Sequence, residues 1–99
     1  MSGAWVYMLE CSDGSLYVGS TRNDELDKRL GEHQSGVFGG YTAARRPVRL
    51  VWAAQFMWIT DAIAFERQLK GWRREKKLAV IRGEWEKLHA LAGRPVRMG

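Results

Sequence analysis

A chain of 99 residues is long enough for one domain and too short for two, and its 45% hydrophobic content suits a globular core. The single cysteine excludes an internal disulfide and a cysteine-rich zinc site. The formal net charge of +5 makes nucleic acid a natural partner, although an acidic protein or a membrane surface would also attract it.

The chain carries no recognisable targeting segment. No stretch reaches the run of about 18 apolar residues that a membrane span needs. The first residues also lack the basic and apolar regions of a secretory signal. We therefore expect a cytoplasmic protein with no membrane partner. Its one domain is expected to cover residues 1–92, with residues 93–99 as a flexible C-terminal tail.

The first predicted element is a β-hairpin. Two short apolar segments, residues 5–10 and 15–20, flank a glycine-containing turn at residues 12–14. Each segment carries one tyrosine, Tyr7 or Tyr17. Tyrosine is a good strand former, so the two phenols do not by themselves indicate a site.

The length of the turn decides where the two phenols lie. A two-residue turn would send Tyr7 and Tyr17 to opposite faces of the hairpin. A three-residue loop with Gly14 left-handed would instead pair Leu9 with Tyr17 and Tyr7 with Gly19. Both phenols would then share one face, and Gly19 would leave a dent where a ligand can approach the backbone. The sequence allows both registers.

An acidic cluster at the start of residues 23–34 predicts a helix. Leu26 and Leu30, four residues apart, form its buried stripe. Arg29 and His33 have the same spacing and lie along the same side. They are either a cation and a half-buried ring at the border of the stripe, or two groups that point into a cleft between helix and sheet.

A long loop at residues 35–47 follows, and loops of this length are usually functional or mobile. Thr42, Arg45 and Arg46 are its polar candidates. The guanidinium groups match phosphate oxygens, so the loop either holds phosphate or is a solvated basic surface.

The remaining elements are one strand and two helices. Residues 48–56 are almost continuously apolar, which predicts a strand buried on both faces. Thr60 is expected to cap a helix that reaches residue 73, and a last helix is expected over residues 76–92. The expected core-facing residues of the two helices are Ala62, Phe65, Leu69 and Trp72, then Leu78, Ile81, Trp85, Leu88 and Ala92.

Glu66 lies at the edge of the apolar face of the first of these helices, four residues before Lys70. The pair is either an ordinary surface ion pair or part of a site. Residues 66–77 hold six cations against two acids, and Trp72 lies among them. This patch predicts a phosphate-contacting surface with a stacking ring.

Taken in chain order, the predicted elements and their polar residues resemble the GIY-YIG nuclease superfamily, and specifically its small single-domain bacterial members. The blocks that carry the resemblance are Trp5-Val6-Tyr7, Tyr17-Val18-Gly19, residues 28–36, Tyr41-Thr42 with Arg45-Arg46-Pro47, and residues 66–70. The sequence departs from the family pattern at Trp5-Val6, which stands where the family name has Gly-Ile. A polar residue that some relatives carry near the C-terminal helix has no counterpart that we can place.

The resemblance implies an α+β fold with a small three-stranded, mainly antiparallel sheet flanked by helices. It also implies a metal-dependent endonuclease that hydrolyses DNA. The alternative is a nucleic-acid-binding module that keeps the nuclease fold without activity. Oligomeric state and DNA preference stay open.

By the same resemblance, the expected catalytic residues are Tyr7, Tyr17, Arg29, His33 and Glu66. Tyr17 or Tyr7 would accept the proton of the attacking water or position that water, and Glu66 would bind Mg²⁺ or Mn²⁺. The expected substrate contacts are Gly19, Thr42, Arg45, Arg46, Lys70, Trp72 and Arg73.

Overall fold

The computed structural model describes residues 3–37 and 39–84. Three antiparallel strands form one sheet: β1 (Ala4–Glu10) in the centre, β2 (Leu16–Arg22) on one side and β3 (Arg49–Phe56) on the other. The helices are α1 (Leu26–Ser35), the short α2 (Gly40–Ala43), α3 (Ile59–Gly71) and α4 (Arg74–Arg82). The predicted three-stranded antiparallel sheet flanked by helices is confirmed.

The hairpin has the register of the three-residue loop. Tyr7 pairs with Gly19 and Leu9 with Tyr17. The Cys11 N–H donates to the Ser15 carbonyl at 2.9 Å, which closes the loop at residues 12–14. Gly14 lies inside it with φ of +83°, the left-handed region that glycine adopts without a steric penalty. The turn therefore places both phenols on the same face of the sheet.

The two faces of β1 bury two separate cores, because successive side chains of a strand point to opposite sides. Tyr7 and Leu9 lie on the face that α1 covers, with Leu26 and Leu30 packed against them. The opposite face is covered by α3 and α4. Its buried members are Ala4, Val6, Met8, Val18, Ala62, Leu69, Ala79 and Val80.

The expectation that residues 48–56 form a strand buried on both faces is wrong. In the described part of the chain β3 is an edge strand, and all of its residues are half-buried or exposed. Leu50, for example, is 40% exposed. The doubly covered strand is β1, because it lies between two strands and has helices on both faces. The apolar run at residues 49–56 therefore indicated a strand, and it did not indicate either the burial of that strand or its position in the sheet.

The helix starts differ from the predicted caps. Glu25 precedes α1 and Trp58 precedes α3, and neither side chain makes a capping hydrogen bond to the described residues. Thr60 lies inside the first turn of α3. Asn23, which directly follows β2, is bonded to β3 instead, since its Oδ1 accepts a hydrogen bond from Gln55 at 3.0 Å.

The last described helix begins at Arg74, before residue 76, and ends at Arg82. The next residue, Gly83, has a left-handed φ of +69°. Ala79 and Val80 are its buried residues and Ile81 packs against the core, while Leu78 is only half-buried. The expected continuation through Trp85, Leu88 and Ala92, and the domain boundary after residue 92, lie outside the described residues. None of the described helices is long and apolar enough to cross a membrane.

Candidate active site

A cleft of about 370 Å³ lies at the outer edge of β2. Residues from both sides of the sheet line it, because Gly19 faces α1 and its neighbour Ser20 faces α3. The lining includes all five expected catalytic residues, Tyr7, Tyr17, Arg29, His33 and Glu66, together with Gly19 and Thr42 of the expected substrate contacts. It also includes Ser20, Gly39, Gly40 and Tyr41.

His33 is the centre of the α1 side of the cleft, and only 6% of its surface is exposed. Its Nε2 is hydrogen-bonded to the Tyr7 hydroxyl at 2.9 Å, and its Nδ1 to the Thr42 hydroxyl at 2.9 Å. Burial lowers the pKa of His33, and the nearby Arg29 charge lowers it further. The imidazole is therefore neutral near pH 7, with both ring nitrogens engaged.

Tyr7 is fully buried beneath the cleft. Burial raises the pKa of its phenol, and the adjacent Tyr17 adds to the increase, while Arg29 opposes it. The phenol is thus held in its neutral form. A neutral, buried hydroxyl that is bonded to His33 is suited to orienting the ring, and poorly suited to accepting a proton.

Gly19 has a steric role that differs from the expected one. A Cβ at this position would lie 2.6 Å from the Cζ and hydroxyl oxygen of Tyr7. The dent opposite Tyr7 is therefore filled by the phenol of Tyr7 itself, and Gly19 gives that ring its place. The backbone of Gly19 still lines the cleft.

Tyr17 is half-buried and lies between two other rings. Its ring is edge-on to His33 at 5.0 Å and stacked on Tyr41 at 6.2 Å between centroids. The Arg45 guanidinium covers the other ring of this stack, 3.9 Å from the centroid of Tyr41. Arg45 also forms an ion pair with Asp13 at 3.0 Å, so it connects α2 to the hairpin turn.

We call this arrangement of Asp13, Arg45 and Tyr41 the Arg45 bracket. The Arg45 guanidinium, which was expected to contact substrate, is instead engaged by Asp13 and Tyr41. Tyr41 was recognised in the sequence only as part of a motif, although its place directly before Thr42 was a usable signal.

Glu66 enters the cleft from α3, on the face of the sheet opposite the two tyrosines. Its side chain is 15% exposed. Oε1 accepts a hydrogen bond from Ser20 at 2.8 Å, and Oε2 lies 3.0 Å from the Lys70 ammonium. Lys70 therefore pairs with Glu66. Sequence reasoning missed Ser20, although strand alternation after Gly19 places it on the α3 face.

Arg29 lines the same cleft from α1. Its side chain is 35% exposed, and its Nε lies 3.8 Å from a carboxylate oxygen of Glu32, one helical turn further on. Of the two alternatives for Arg29 and His33, the structure favours the one in which both side chains point into a cleft between helix and sheet.

Three expected substrate contacts lie away from the cleft. Arg46 donates to the carbonyls of Ala43 at 2.9 Å and Ser35 at 3.1 Å, the last residues of α2 and α1. Trp72 packs edge-on against Phe65 in the core. Arg73 is exposed and precedes α4. The contacts that Arg46 and Trp72 make within the protein account for the positions of these two side chains without a substrate.

The described residues contain no group of three or more His, Cys, Asp or Glu side chains that could hold a metal ion. Glu66 is the carboxylate of the cleft lining. A carboxylate has about four lone-pair sites, so its contacts to Ser20 and Lys70 leave room for a cation. One carboxylate with water in the other positions is a ligand set that Mg²⁺ accepts, and the residues therefore fit such an ion.

Comparison with known proteins agrees with the resemblance seen in the sequence. Residues 3–79 match the model of the GIY-YIG family, described as the GIY-YIG catalytic domain. A UPF0213 protein from Syntrophus aciditrophicus is 43% identical over 89 residues, which cover 89% of this chain and 100% of the relative. A second UPF0213 protein, from Staphylococcus saprophyticus, is 37% identical over 81 residues, 82% of this chain and 96% of the relative.

A solved structure is also similar. The solution NMR structure of a UPF0213 protein from Bacillus halodurans aligns with a TM-score of 0.52 and 39% sequence identity. The alignment covers 80% of this chain and 82% of that chain.

Proposed function

The chain belongs to the GIY-YIG family, and from this membership we propose that it is a divalent-metal-dependent endonuclease that hydrolyses DNA phosphodiester bonds. The family implies a nucleic-acid substrate. The observation that carries the proposal is that Tyr7, Tyr17, Arg29, His33 and Glu66, from four separate elements, line one cleft.

Hydrolysis of a phosphodiester requires an attacking water and stabilisation of the added negative charge. In the proposal, Arg29 contacts the scissile phosphate, because its guanidinium provides several donors to phosphate oxygens. Glu66 holds Mg²⁺ or Mn²⁺. When bound, the ion supplies Lewis-acid polarisation of the phosphate and the leaving oxygen.

The two tyrosines have different roles in this proposal. Tyr17 is half-buried at the cleft surface, and its hydroxyl positions the attacking water or, as the phenolate, accepts a proton from it. Tyr7 and His33 are positioning residues, because their hydrogen bond is buried and fixes the ring against which Tyr17 packs. Thr42 completes that arrangement at the other imidazole nitrogen.

The test is a cleavage assay on labelled single-stranded and duplex DNA with Mg²⁺, Mn²⁺ or chelator. We expect cleavage that requires metal and falls about a hundredfold or more in Arg29→Ala and Glu66→Gln, since each change removes a charge from the cleft. Tyr17→Phe should also lose cleavage while keeping the unfolding temperature of the wild type.

Two exposed residues provide matched controls. Lys28→Ala removes a cation from α1 one position before Arg29, and Asp61→Asn neutralises a carboxylate on the same helix as Glu66. Both should cleave at the wild-type rate. Binding of DNA without cleavage under every metal condition would instead support the nucleic-acid-binding module. Equal rates in wild type and Glu66→Gln would contradict the role of the carboxylate.

A further inference from the structure

A second cleft of about 190 Å³ follows the same edge of β2. Ser20 and Arg29 line both clefts, so the second one begins where the first ends. Its remaining walls come from the start of β1, the end of β2, the residue before α1 and the first turns of α3.

The position of the second cleft matches the path of a polymeric substrate. A strand rises about 3.3 Å per residue, so Gly19 and Arg22 lie about 10 Å apart along β2. This length is sufficient for the nucleotide next to a phosphate held between Arg29 and Glu66. A chain bound in the first cleft can therefore enter the second without leaving the edge of the sheet.

The chemistry of the second cleft also differs along its length. Arg22 is exposed and supplies a cation. Ile59 is half-buried and Ile63 is 38% exposed, and together they form an apolar wall. Glu25 also lines the cleft, and its carboxylate would repel a phosphate placed next to it. A cationic end and an apolar wall suit a phosphate and a base, respectively.

We propose that the second cleft binds the nucleotide adjoining the scissile phosphate, with its phosphate on Arg22 and its base against Ile59 and Ile63. The identity of the ligand as nucleic acid rests on the function proposed above. Ile59 also packs against the core. Arg22 and Ile63, in contrast, are exposed and do not line the first cleft.

The first experiment measures binding in chelator, where cleavage plays no part. Fluorescence anisotropy with a labelled single-stranded oligonucleotide gives the Kd of each variant over a range of salt concentrations. Arg22→Gln should weaken binding about threefold to tenfold and reduce the magnitude of the salt slope by about 0.7, the loss of one phosphate contact. Ile63→Ala should weaken binding by a similar factor with an unchanged slope, because it removes only apolar contact.

The matched controls lie at the opposite end of the sheet. Arg49→Gln removes an exposed cation from β3, and Leu50→Ala removes an apolar side chain that is 40% exposed, close to the 38% of Ile63. Both should bind as the wild type does. If Arg22→Gln and Ile63→Ala are indistinguishable from these controls at equal unfolding temperature, the proposal is overturned.

Cleavage kinetics with metal separate this proposal from the nuclease function. In a cleaving wild type, Arg22→Gln and Ile63→Ala should raise KM with kcat little changed, because the second cleft holds substrate and transition state alike. A wild type that binds but never cleaves would sink the nuclease function, while the affinity differences would still support the second cleft. A fall in kcat with unchanged KM would contradict a nucleotide subsite.

Discussion

At the scale of single residues, the neutral state of His33 explains the arrangement around it. Because burial lowers the pKa of its imidazole, His33 remains uncharged and can exchange hydrogen bonds with the two hydroxyl groups of Tyr7 and Thr42. The same burial raises the pKa of Tyr7, so both groups of the pair stay neutral.

The steric demand of Tyr7 makes Gly19→Ala a sharp test. The added methyl group would lie 2.6 Å from the phenol, and 3.1 Å from the Tyr17 ring, so one of the two rings must shift. We expect a loss of about 1–3 kcal/mol in the free energy of unfolding, the usual cost of overpacking a core. Urea denaturation followed by circular dichroism measures it.

Gly31→Ala is the matched control, because Gly31 lies in α1 and a Cβ there would meet nothing within 4 Å. Alanine is the better helix former, so this variant should gain about 0.5–1 kcal/mol. A Gly19→Ala protein as stable as the wild type would show that Tyr7 does not need the space.

At the scale of elements, the Arg45 bracket joins α2 to the hairpin. Arg45 covers the ring of Tyr41, pairs with Asp13, and its carbonyl accepts the Ser12 N–H at 2.9 Å. The Tyr41 ring in turn stacks on Tyr17. The bracket therefore fixes a short helix of four residues, and through it one side of the ring that faces the proposed substrate.

Arg45→Ala distinguishes a bracket from a substrate contact. If Arg45 acts through Tyr41 and Tyr17, the variant should unfold at a slightly lower temperature, because it loses an exposed cation–π contact and a surface ion pair. Its kcat should fall about threefold to tenfold, because Tyr17 is less well positioned. The measurements are thermal unfolding and steady-state cleavage.

The salt dependence of DNA binding shows whether Arg45 contacts phosphate, which would contradict the bracket. A direct phosphate contact by Arg45 would reduce the magnitude of the salt slope by about 0.7 in Arg45→Ala, whereas a bracket leaves the slope unchanged. Arg45→Lys, compared with Arg45→Ala, separates the role of the charge from that of the planar group. Lysine retains the charge opposite Asp13 and lacks the planar group that stacks on Tyr41. If Arg45 acts as a bracket, Arg45→Lys should therefore recover only part of the stability and kcat that Arg45→Ala loses.

At the scale of the whole molecule, a formal charge of +5 on 99 residues should dominate the affinity for DNA. We expect the logarithm of the association constant to fall linearly with the logarithm of salt concentration, with a slope of about −2 to −4. The slope should be nearly the same for unrelated DNA sequences, since phosphate contacts carry no sequence information.

Titration of several unrelated oligonucleotides in chelator measures this slope. Affinity that changes little with salt would show that the net charge does not drive binding. A strong preference for one sequence would require base contacts beyond those that the two clefts provide.

The sequence by itself determined the local features of this protein. The glycine of the 12–14 turn, the spacing of Arg29 and His33 on one helix side, and the position of Glu66 four residues before Lys70 follow from residue types and periods. Those rules are short-range, so they place a side chain on the correct face of its own element. Together with the order of the motifs they were sufficient for the family and for the antiparallel sheet.

Only the tertiary structure decided how the elements meet. The sequence allowed two registers for the hairpin, and it assigned the doubly buried strand to β3 rather than β1. It could not show that Glu66, from the opposite face of the sheet, lines the same cleft as the tyrosines, or that Tyr7 fills the space beside Gly19. These facts depend on contacts between residues that are distant in the chain. Packing selects those contacts, and the local pattern does not encode them.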